Sequence, residues 1–519
     1  MRPGTASAGA GRSSSVGAAL RRGASASVGA AFRRGAASAG GLALWLAASG
    51  ASAKTYRVGP HGDYGQVSDV VGQLAPGDLV EIEGGARYDA FEMSRGGEPG
   101  RPVVVRGLRR GGKRPVVVGG KAGVVLGADH IVVEGLEVTA GEARCVLHEG
   151  HDITLRDLVV HDCPAHGILS TDENSGSLTL EHVEVYNAGR GEGKHQIYVA
   201  TDEKRHPGSV FRMQYCYLHD GRGGNNVKSR AERNEIYYNW VEGGYYHEIE
   251  LIGPDGQEAS LAREDSDVVG NVVRKLNDAY VFRVGGDATG ETSGRYRFAY
   301  NTVIVASDAR AVFRPFDRLE SVEMHDNVLY RAGGGGVRVL QDERAEWTRG
   351  RRTIAGSHNW VPAGSRDLPE GWSDTIVGAD PGFVDFAALD LRPGPNSPLL
   401  DAASPAVPAA AFAAFPFPRP LEEPAMSPPW RGLGKALPRA RAGSAFDLGA
   451  LEAGTELVRP SDVDPIGWQP VKAWPAQSQR RVFRGCDCRA AGPPDDAAGG
   501  AWAIVAAAGV AGAVARRRR

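Results

Sequence analysis

Long apolar runs with helical periodicity are missing from most of this 519-residue chain, and neither sign of charge predominates. The apolar residues come in short β-branched bursts separated by turn residues, which argues against a helical bundle and favours β-strands. The formal net charge of −2 gives no electrostatic reason to expect a nucleic-acid partner. The GGGG run at residues 333–336 fits a turn rather than a strand-to-helix phosphate loop, so no nucleotide cofactor is indicated.

Cysteine is scarce: the chain has five, and they are scattered. Cys145, Cys163 and Cys216 lie in or beside strand motifs, where we expect buried free thiols. One disulfide between neighbouring repeats is the alternative.

Acidic residues are missing before Asp63, whereas arginines recur from Arg2 to Arg34. An apolar run at residues 42–48 leads to Ala51-Ser52-Ala53, which is an A-x-A cleavage pattern. We therefore predict that residues 1–53 are a secretory signal with a long basic leader.

Asparagine recurs at the same point of five short strand motifs, such as VGNVV and AYNTV, at spacings of 26 to 32 residues. The five are Asn239, Asn271, Asn301, Asn327 and Asn359. One strand motif per repeat of this length is typical of a stacked solenoid. Asparagine tolerates the left-handed backbone of a tight turn, and its amide can hydrogen-bond to the next one in a stack. The sequence therefore predicts an all-β fold, a single-stranded right-handed parallel β-helix with an asparagine ladder.

Alignment of the repeats predicts which residues stack in successive coils. The column that becomes the asparagine ladder contains Gly135, Asp157, His182 and Tyr215. A second strand in each repeat supplies one interior stack, because side chains alternate along a strand. That stack consists of Ile168, Ile197, Val227, Ile249, Val281, Val312 and Val337. The residue after each one then faces outward, including Lys228, Glu250, Phe282 and Phe313.

Several phrases mark the ends of the predicted domain. APGDLVEIEGGARY followed by RPVVVRG resembles the first coils of pectin-lyase-like β-helices, whereas ADPGFVD, LRPGPNSPLLDA and FDLGALEAG resemble their closing segments. We therefore assign residues 54–454 to the β-helix, with a short helix at about residues 67–74 capping the first coil. The Ala/Pro-rich region between the closing phrases is expected to lie along the last coils, and residues 455–485 to form a stalk.

The C-terminal residues 486–519 combine Cys486-Asp487-Cys488, an apolar stretch at residues 497–515 and four terminal arginines. This order resembles the MYXO-CTERM sorting tail of myxobacterial surface proteins, which implies processing for anchoring at the cell surface. Because the apolar stretch is long enough to span a bilayer, an uncleaved membrane anchor is the alternative.

Equal positions in adjacent coils become adjacent side chains, because neighbouring strands lie about 4.8 Å apart. Three coils therefore bring a dense set of polar and ionisable residues together on the outer face. The set is Gln196, Tyr198, Asn226, Lys228, Arg230, Glu248 and Glu250. Arg283 and Arg314 form a further column at a nominally inward register, which predicts a strand end that opens into a groove.

This set suits an acidic polysaccharide. β-Elimination in a uronic acid chain needs charge neutralisation at the carboxylate, a base for the C5 proton and an acid for the leaving oxygen. Arginines such as Arg283 suit the first role and Tyr198 the third. Lys228 suits the second role if the neighbouring charge of Arg230 favours its neutral form. The residues assigned to substrate binding are Gln196, Asn226, Glu248, Glu250 and Arg314.

The segment VKSRAERNEIYYN resembles the Lys-Ser element of chondroitinase-B and alginate-lyase β-helices, which implies that Lys228 is the base. That family carries an arginine in a phrase like FRHGD, and the FRVGGD phrase at residues 282–287 implies this role for Arg283. The arginine comes one coil later here than in the family.

Calcium is a possible cofactor. The family places acidic calcium ligands just before its lysine, whereas Gly221, Gly223 and Gly224 occupy that region of this chain. Glu248 and Glu250 are the alternative hard oxygen ligands.

Less specific interpretations remain open for the same residues. His166, His195 and His247 recur at one position, where turn capping, zinc ligation and, for His195, a general base of a C5-epimerase are alternatives. Lys228 and Glu250 alternatively form only a surface salt bridge. We expect a secreted, surface-anchored monomer that binds and cleaves acidic polysaccharide, or a non-catalytic adhesion protein that uses the same face.

Overall fold

The computed structural model describes residues 52–253, 265–287, 294–316, 318–341, 353–406, 421, 423–432 and 436–457. Most of the signal segment 1–53, most of the stalk 455–485 and the whole tail 486–519 lie outside the described residues, so these assignments remain predictions. Within the described ranges, no helix is long and apolar enough to cross a bilayer.

The described ranges contain three long sheets of 13, 12 and 9 strands, which we call the first, second and third sheets. A typical coil supplies one strand to each sheet in that order, as in Ile131–Glu134, Glu137–Thr139 and Arg144–His148. Each of these strands pairs in parallel with the strand one coil away. The all-β parallel β-helix predicted from the sequence is therefore confirmed.

The strand bounds are as follows. The first sheet contains Thr55–Val58, Leu79–Glu83, Val103–Leu108, Ile131–Glu134, Ile153–Arg156, Leu178–Glu181, Val210–Gln214, Arg233–Tyr237, Asp265–Val269, Arg295–Ala299, Ser321–His325, Thr353–Ser357 and Trp372–Ser373. The second contains Arg87–Asp89, Val116–Val118, Glu137–Thr139, Val159–His161, Glu184–Tyr186, Tyr217–His219, Trp240–Glu242, Val272–Lys275, Thr302–Val305, Val328–Arg331, Trp360–Pro362 and Ile376–Gly378. The third contains Phe91–Met93, Ala122–Leu126, Arg144–His148, His166–Ser170, Ile197–Ala200, Val227–Arg230, Ile249–Leu251, Phe282–Val284 and Phe313–Pro315. Two antiparallel pairs join Phe383–Asp385 to Asp390–Pro393 and Met426–Ser427 to Leu437–Pro438.

A short helix, Ser68–Val71, lies before the second strand and confirms the helix predicted at about residues 67–74. Its Val70 and Val71 are buried, and it contacts the strand Phe91–Met93. These valines join the interior core of the first coils.

The interior stack of the third sheet follows the predicted alignment through its first four members. Ile168, Ile197, Val227 and Ile249 are register partners in successive coils, and each is at most 1% exposed. Such close-packed aliphatic columns form the core of each coil.

Beyond Ile249, the strands of the structure are shifted by one residue relative to the predicted alignment. Ile249 pairs with Phe282 instead of Val281, and Phe282 pairs with Phe313. The prediction that Phe282 and Phe313 face outward is therefore wrong: their rings lie 5.1 Å apart in the interior and both contact Phe298. Burying three aromatic rings together favours this register over one that exposes two of them.

The asparagine ladder is present as predicted. In each rung an asparagine Nδ2 donates to Oδ1 of the asparagine in the next coil, at 2.9–3.0 Å from Asn239 through to Asn359. The same Oδ1 also accepts the backbone N–H of the preceding asparagine, as Asn271 does from Asn239 at 2.8 Å. Because these amides are buried, the ladder satisfies polar groups that water cannot reach.

The left-handed backbone lies one residue before each ladder asparagine. Tyr238, Gly270 and Tyr300 have φ of 56°, 67° and 55°, directly before Asn239, Asn271 and Asn301. The earlier coils show the same conformation at the four residues that the alignment had placed in the ladder column, which are Gly135, Asp157, His182 and Tyr215. That placement is wrong by one residue, since Cys216 donates its backbone N–H to Asn239 and so occupies the ladder column.

The described C-terminal residues pack along the outer face of the second sheet. Leu391 and Leu451 cluster there with Trp240 and Val272. Within this segment Arg439 donates to Glu452 Oε1 at 2.7 Å, and both side chains are fully buried. The buried ion pair therefore holds the C-terminal segment together away from the third sheet.

Aromatic rings stack along the second sheet in the earlier coils. The rings of His161, Tyr186 and His219 follow one another with centroids 4.8 and 4.9 Å apart. His219 Nε2 lies 3.1 Å from Glu184 Oε1, and its Nδ1 lies 2.7 Å from Asp220 Oδ2. Burial alone would lower the pKa of His219, but its bonds to these carboxylates outweigh burial and raise it to about 9.

We predict that Asn271→Ala lowers the free energy of unfolding by about 2–4 kcal/mol, because it leaves buried partners in two coils unsatisfied. The mutation removes the acceptor of the Asn239 N–H and the donor to Asn301. Urea denaturation followed by circular dichroism measures the loss. The exposed Asn396→Ala is the control, with an expected change within about 0.5 kcal/mol. A loss for Asn271→Ala as small as for the control would contradict a structural ladder.

We predict a histidine-dependent fall in stability at alkaline pH. Because the folded pKa of His219 is raised, its contribution is fully present below its unfolded pKa and is lost as pH rises through about 9. His219→Gln should remove up to about 3 kcal/mol of this pH dependence. Urea midpoints at about pH 6 and about pH 9.5 test this, with exposed His61→Gln as the control. An unchanged pH slope in His219→Gln would refute the assignment.

Candidate functional site

Five of the predicted site residues form one outward column on the third sheet. Register pairing places Tyr198, Lys228, Glu250, Arg283 and Arg314 at equivalent positions of five successive coils. The expectation that the two arginines occupy an inward register is wrong, because the shift at Phe282 turns both of them to the outer face. The column is continuous: Tyr198, Lys228 and Glu250 stack as the alignment predicted, and the two arginines, predicted as a separate column, continue the same one.

Glu250 lies at the centre of the column between two cations. Arg283 Nη1 donates to Glu250 Oε1 at 2.7 Å, and Lys228 Nζ lies 3.9 Å from Oε2. Asn225 Nδ2 also donates to Oε2. Burial alone would raise the pKa of Glu250, but the charges of Lys228 and Arg283 outweigh it and hold the pKa well below its usual range. Glu250 is therefore an ionised carboxylate that is hydrogen-bonded to Arg283 and lies within ion-pair distance of Lys228.

Arg230 lies beside the column at the end of the same strand as Lys228. Its Nε donates to Tyr198 Oη at 3.0 Å, and its Nη2 donates to Asp287 Oδ2 at 2.7 Å. Lys228 Nζ lies 5.4 Å from the centre of the Tyr198 ring. Because Oη accepts a bond from Arg230, the phenol proton of Tyr198 can point away toward a ligand.

Arginine–aromatic stacking holds the far end of the column. The Arg283 guanidinium lies 3.8 Å from the ring centre of Phe316, and that of Arg314 lies 4.6 Å from Tyr280. Arg314 Nη1 also donates to Tyr246 Oη at 3.3 Å. Such packing fixes a guanidinium without neutralising its charge.

Charge and exposure differ along the site. Among the described side chains of the site, the four cations Lys228, Arg230, Arg283 and Arg314 outnumber the two carboxylates of Glu250 and Asp287. Among the ten predicted site residues only Tyr198 and Lys228 are partly exposed, whereas Arg283 and Arg314 are 2% and 4% exposed. A ligand would therefore meet Lys228 and Tyr198 first, above a fixed layer of positive charge.

Three residues predicted to bind substrate are not on the outer face. Gln196, Asn226 and Glu248 are each 0% exposed and bond to one another, from Gln196 Nε2 to Asn226 Oδ1 at 2.7 Å and from Asn226 Nδ2 to Glu248 Oε2 at 2.6 Å. Each directly precedes its strand, so the alternation of side chains within a strand does not apply to it. They form a buried polar column behind the site.

Glu248 is the last residue of this buried column and forms an ion pair with Lys275, whose Nζ lies 3.2 Å from Glu248 Oε1. Burial raises the pKa of Glu248 and lowers the pKa of Lys275, while their mutual attraction opposes both shifts. The pair lies wholly inside the coil and cannot contact a ligand directly.

The recurring histidines cap backbone groups between coils. His166 Nδ1 accepts the backbone N–H of His195 at 3.1 Å, and His195 Nδ1 accepts that of Asn225 at 2.9 Å. Desolvation by burial lowers the pKa of His195 far below its ordinary value, so the ring is neutral and carries its proton on Nε2. In this arrangement His195 Nδ1 is occupied by the Asn225 N–H and Nε2 carries the proton, so neither ring nitrogen can act as a base. Turn capping is therefore favoured over the other two interpretations.

His247 has the opposite tautomer. Its backbone N–H and Nδ1 lie 2.9 and 3.1 Å from Asn225 Oδ1, so Nδ1 carries the proton. Asn225 thus connects His247 to Glu250. Asn225 occupies the same position of its coil as His166, His195 and His247 do in theirs. The recurrence of histidine at this position was the sequence signal that could have identified Asn225 as a site residue.

Metal ligation has no support in the described part of the chain. There, no group of three or more His, Cys, Asp or Glu residues is arranged to hold a metal ion. Glu248 and Glu250 bond to different cations, Lys275 and Arg283, instead of converging on one point. The residues present therefore do not fit a calcium site built from these two carboxylates.

Comparison with known proteins gives similarity to solved polysaccharide-degrading enzymes. The chain is similar to the pectate lyase Pel9A, at 13% identity over 77% of this chain and 96% of that one, with a TM-score of 0.42. It is similar to the PL6 family polysaccharide lyase Pedsa3628 from Pseudopedobacter saltans, at 10% identity over 60% and 90% of the two chains and a TM-score of 0.42. A rhamnogalacturonan lyase matches at 13% identity over 64% and 91%, with a TM-score of 0.41. No protein-family description and no curated protein sequence matches the chain.

Proposed function

We propose that this protein binds acidic polysaccharide at the Tyr198–Arg314 column and cleaves it by β-elimination. One observation carries the proposal: Lys228 is partly exposed beside Tyr198, in a column that continues through Glu250 to the buried Arg283 and Arg314. The excess of positive charge favours an anionic chain, because a cluster of like charges raises the local concentration of ligands of the opposite charge.

The chemistry assigns one role to each exposed group. A sugar carboxylate at the column is stabilised by the guanidinium of Arg314 and by the excess of positive side chains around it, while Arg283 stays paired with Glu250. Lys228 accepts the C5 proton, the C5–H electrons form the C4=C5 bond, and the C4–O4 bond breaks. Tyr198 donates its proton to O4, and the hydrogen bond from Arg230 stabilises the phenolate that remains.

A second function, carbohydrate binding without cleavage, is supported by the ion pair of Lys228. An amine must lose its proton before it can act as a base, and Glu250 Oε2 lies 3.9 Å from Nζ. Binding alone needs only the charge. The two functions use the same face and differ in whether Lys228 is neutral when substrate is bound.

Ultraviolet absorbance of the unsaturated product separates the two functions. With alginate, pectate, hyaluronan or chondroitin as substrate, Lys228→Met should reduce kcat by about 10²–10⁴-fold, since proton transfer by a positioned base contributes this much. The exposed Lys113→Met is the matched control and should keep full activity. No product from any polymer, together with binding that Lys228→Met weakens, would favour the adhesion function. Activity that survives in Lys228→Met would overturn the assignment of the base.

We also propose that the chain is a monomer that is exported and held at the cell surface. The A-x-A pattern at residues 51–53 supports export, and the CxC–apolar–arginine order of residues 486–519 supports anchoring at the cell surface. The Cys145–Cys163 disulfide adds support, because such bonds persist in oxidising compartments, whereas Cys216 is a buried free thiol. The expectation of free thiols is therefore wrong for Cys145 and Cys163, which form the alternative disulfide between coils, and is confirmed for Cys216.

If the protein is exported, the Cys145–Cys163 disulfide should be present and the protein should be found at the cell surface. Peptide mapping without reduction should give a Cys145–Cys163 cross-linked peptide, with Cys216 alkylated only after unfolding. Protease treatment of intact cells should remove the protein, and deletion of residues 486–519 should release it to the medium. A protease-protected chain with reduced Cys145 and Cys163 would show that it stays inside the cell.

A further inference from the structure

The loop at residues 243–247 connects the second sheet to the third and carries two partly exposed tyrosines, Tyr245 and Tyr246, to the edge of the column. Tyr246 Oη accepts from Arg314 at 3.3 Å, and the Tyr246 ring lies 4.0 Å from that of His247. Nothing in the chemistry proposed above uses this loop, although it touches one of the buried arginines.

A buried lysine holds the loop from inside the coil. Lys275 Nζ donates to the carbonyl oxygens of Gly244 and Tyr246 at 2.7 and 2.5 Å, besides its contact with Glu248. Glu248 in turn accepts the Gly244 N–H at 3.0 Å. The lysine and glutamate side chains are both fully buried.

The loop is also held from two other sides. Asn277 Nδ2 donates to the carbonyl oxygens of Gly244 and Tyr245 at 3.0 and 3.1 Å. The Tyr246 N–H donates to the carbonyl oxygen of Gly224, in the preceding coil, at 2.7 Å. The conformation of this short loop is therefore fixed by partners in two neighbouring coils.

Stability alone does not account for Lys275. Burying an ion pair costs desolvation that its attraction barely repays, and apolar residues of similar volume often replace such pairs without loss. The neighbouring stack of the third sheet is already well packed with aliphatic side chains. What Lys275 supplies, and an apolar residue cannot, is a set of N–H donors, of which two bond loop carbonyls and one faces Glu248.

We propose that Lys275 is a positioning residue that holds Tyr246 against Arg314 and so builds a subsite for one uronate unit of the chain. Tyr246 offers an aromatic ring and a hydroxyl to the pyranose, and Arg314 offers positive charge to its carboxylate. This inference rests on the proposed polysaccharide ligand and deepens it. The inference also assigns a role to the buried column of Gln196, Asn226 and Glu248. This column connects the Lys275 contacts to the coils that carry Tyr198 and Lys228.

Lys275→Met tests the proposal against Arg439→Met, which breaks an equally buried ion pair far along the chain. Lys275→Met should speed amide hydrogen exchange of the 243–247 peptide by at least about 10-fold. It should weaken binding of acidic oligosaccharides about 10-fold and raise KM, with kcat within about twofold of wild type. Arg439→Met should change none of these values. Asn277→Ala, a milder change in the same support, should shift them in the same direction if Lys275→Met folds poorly.

The outcomes separate this inference from the proposed function. If wild-type protein binds no acidic oligosaccharide, the subsite and the proposed function fail together, while hydrogen exchange still decides whether Lys275 holds the loop. If oligosaccharide binds and Lys275→Met keeps both slow exchange and full affinity, the positioning role is overturned and the proposed function stands. Equal effects in Arg439→Met would show a general loss of stability and also overturn it.

Discussion

Each coil of the β-helix hydrogen-bonds in parallel to the coils before and after it, so that residues far apart in sequence, such as Asn239 and Asn271 at a separation of 32, become neighbours. Register is therefore the constraint on which the site depends. With the register one residue earlier, Phe282 and Phe313 would face water and Arg283 would point into the apolar interior as a buried charge. The aromatic cluster in the core and the arginine column on the surface thus require the same register.

The second feature on which the structure depends is a set of buried ion pairs. Glu250 with Arg283, Glu248 with Lys275 and Glu452 with Arg439 are ion pairs whose side chains are at most 9% exposed. Each connects residues that the sequence separates, and two of the three connect different coils. Because such pairs stabilise a fold little, we interpret them as devices that specify geometry: they fix a guanidinium, a loop and a C-terminal segment. Two of them lie at or directly behind the proposed site.

Much of the fold was accessible from the sequence because its strongest signals repeat. The asparagine motif identified the solenoid and the ladder, and the aligned strands placed Tyr198, Lys228 and Glu250 in one column. The alignment failed where turn lengths vary, because sequence alone does not fix the length of a turn. It therefore missed the one-residue offset at Phe282. It also missed the one-residue offset between the left-handed turn residues and the asparagine ladder. Alternation also failed at the bends before strands, which is why Gln196 was assigned to the surface although it is buried.

Binding needs Lys228 to be charged, whereas cleavage needs it to accept a proton. The contacts of Glu250 affect both. Its bond to Arg283, at 2.7 Å, is much shorter than its approach to Lys228, at 3.9 Å. Arg283 is buried and stacked on Phe316, so it stays with Glu250, whereas Lys228 is partly exposed and can turn toward a sugar at little cost. Once Lys228 leaves, Glu250 is still neutralised by Arg283, and no charge is left buried without a partner. The asymmetry of this triad therefore allows Lys228 to act on a ligand while the layer beneath it keeps its geometry.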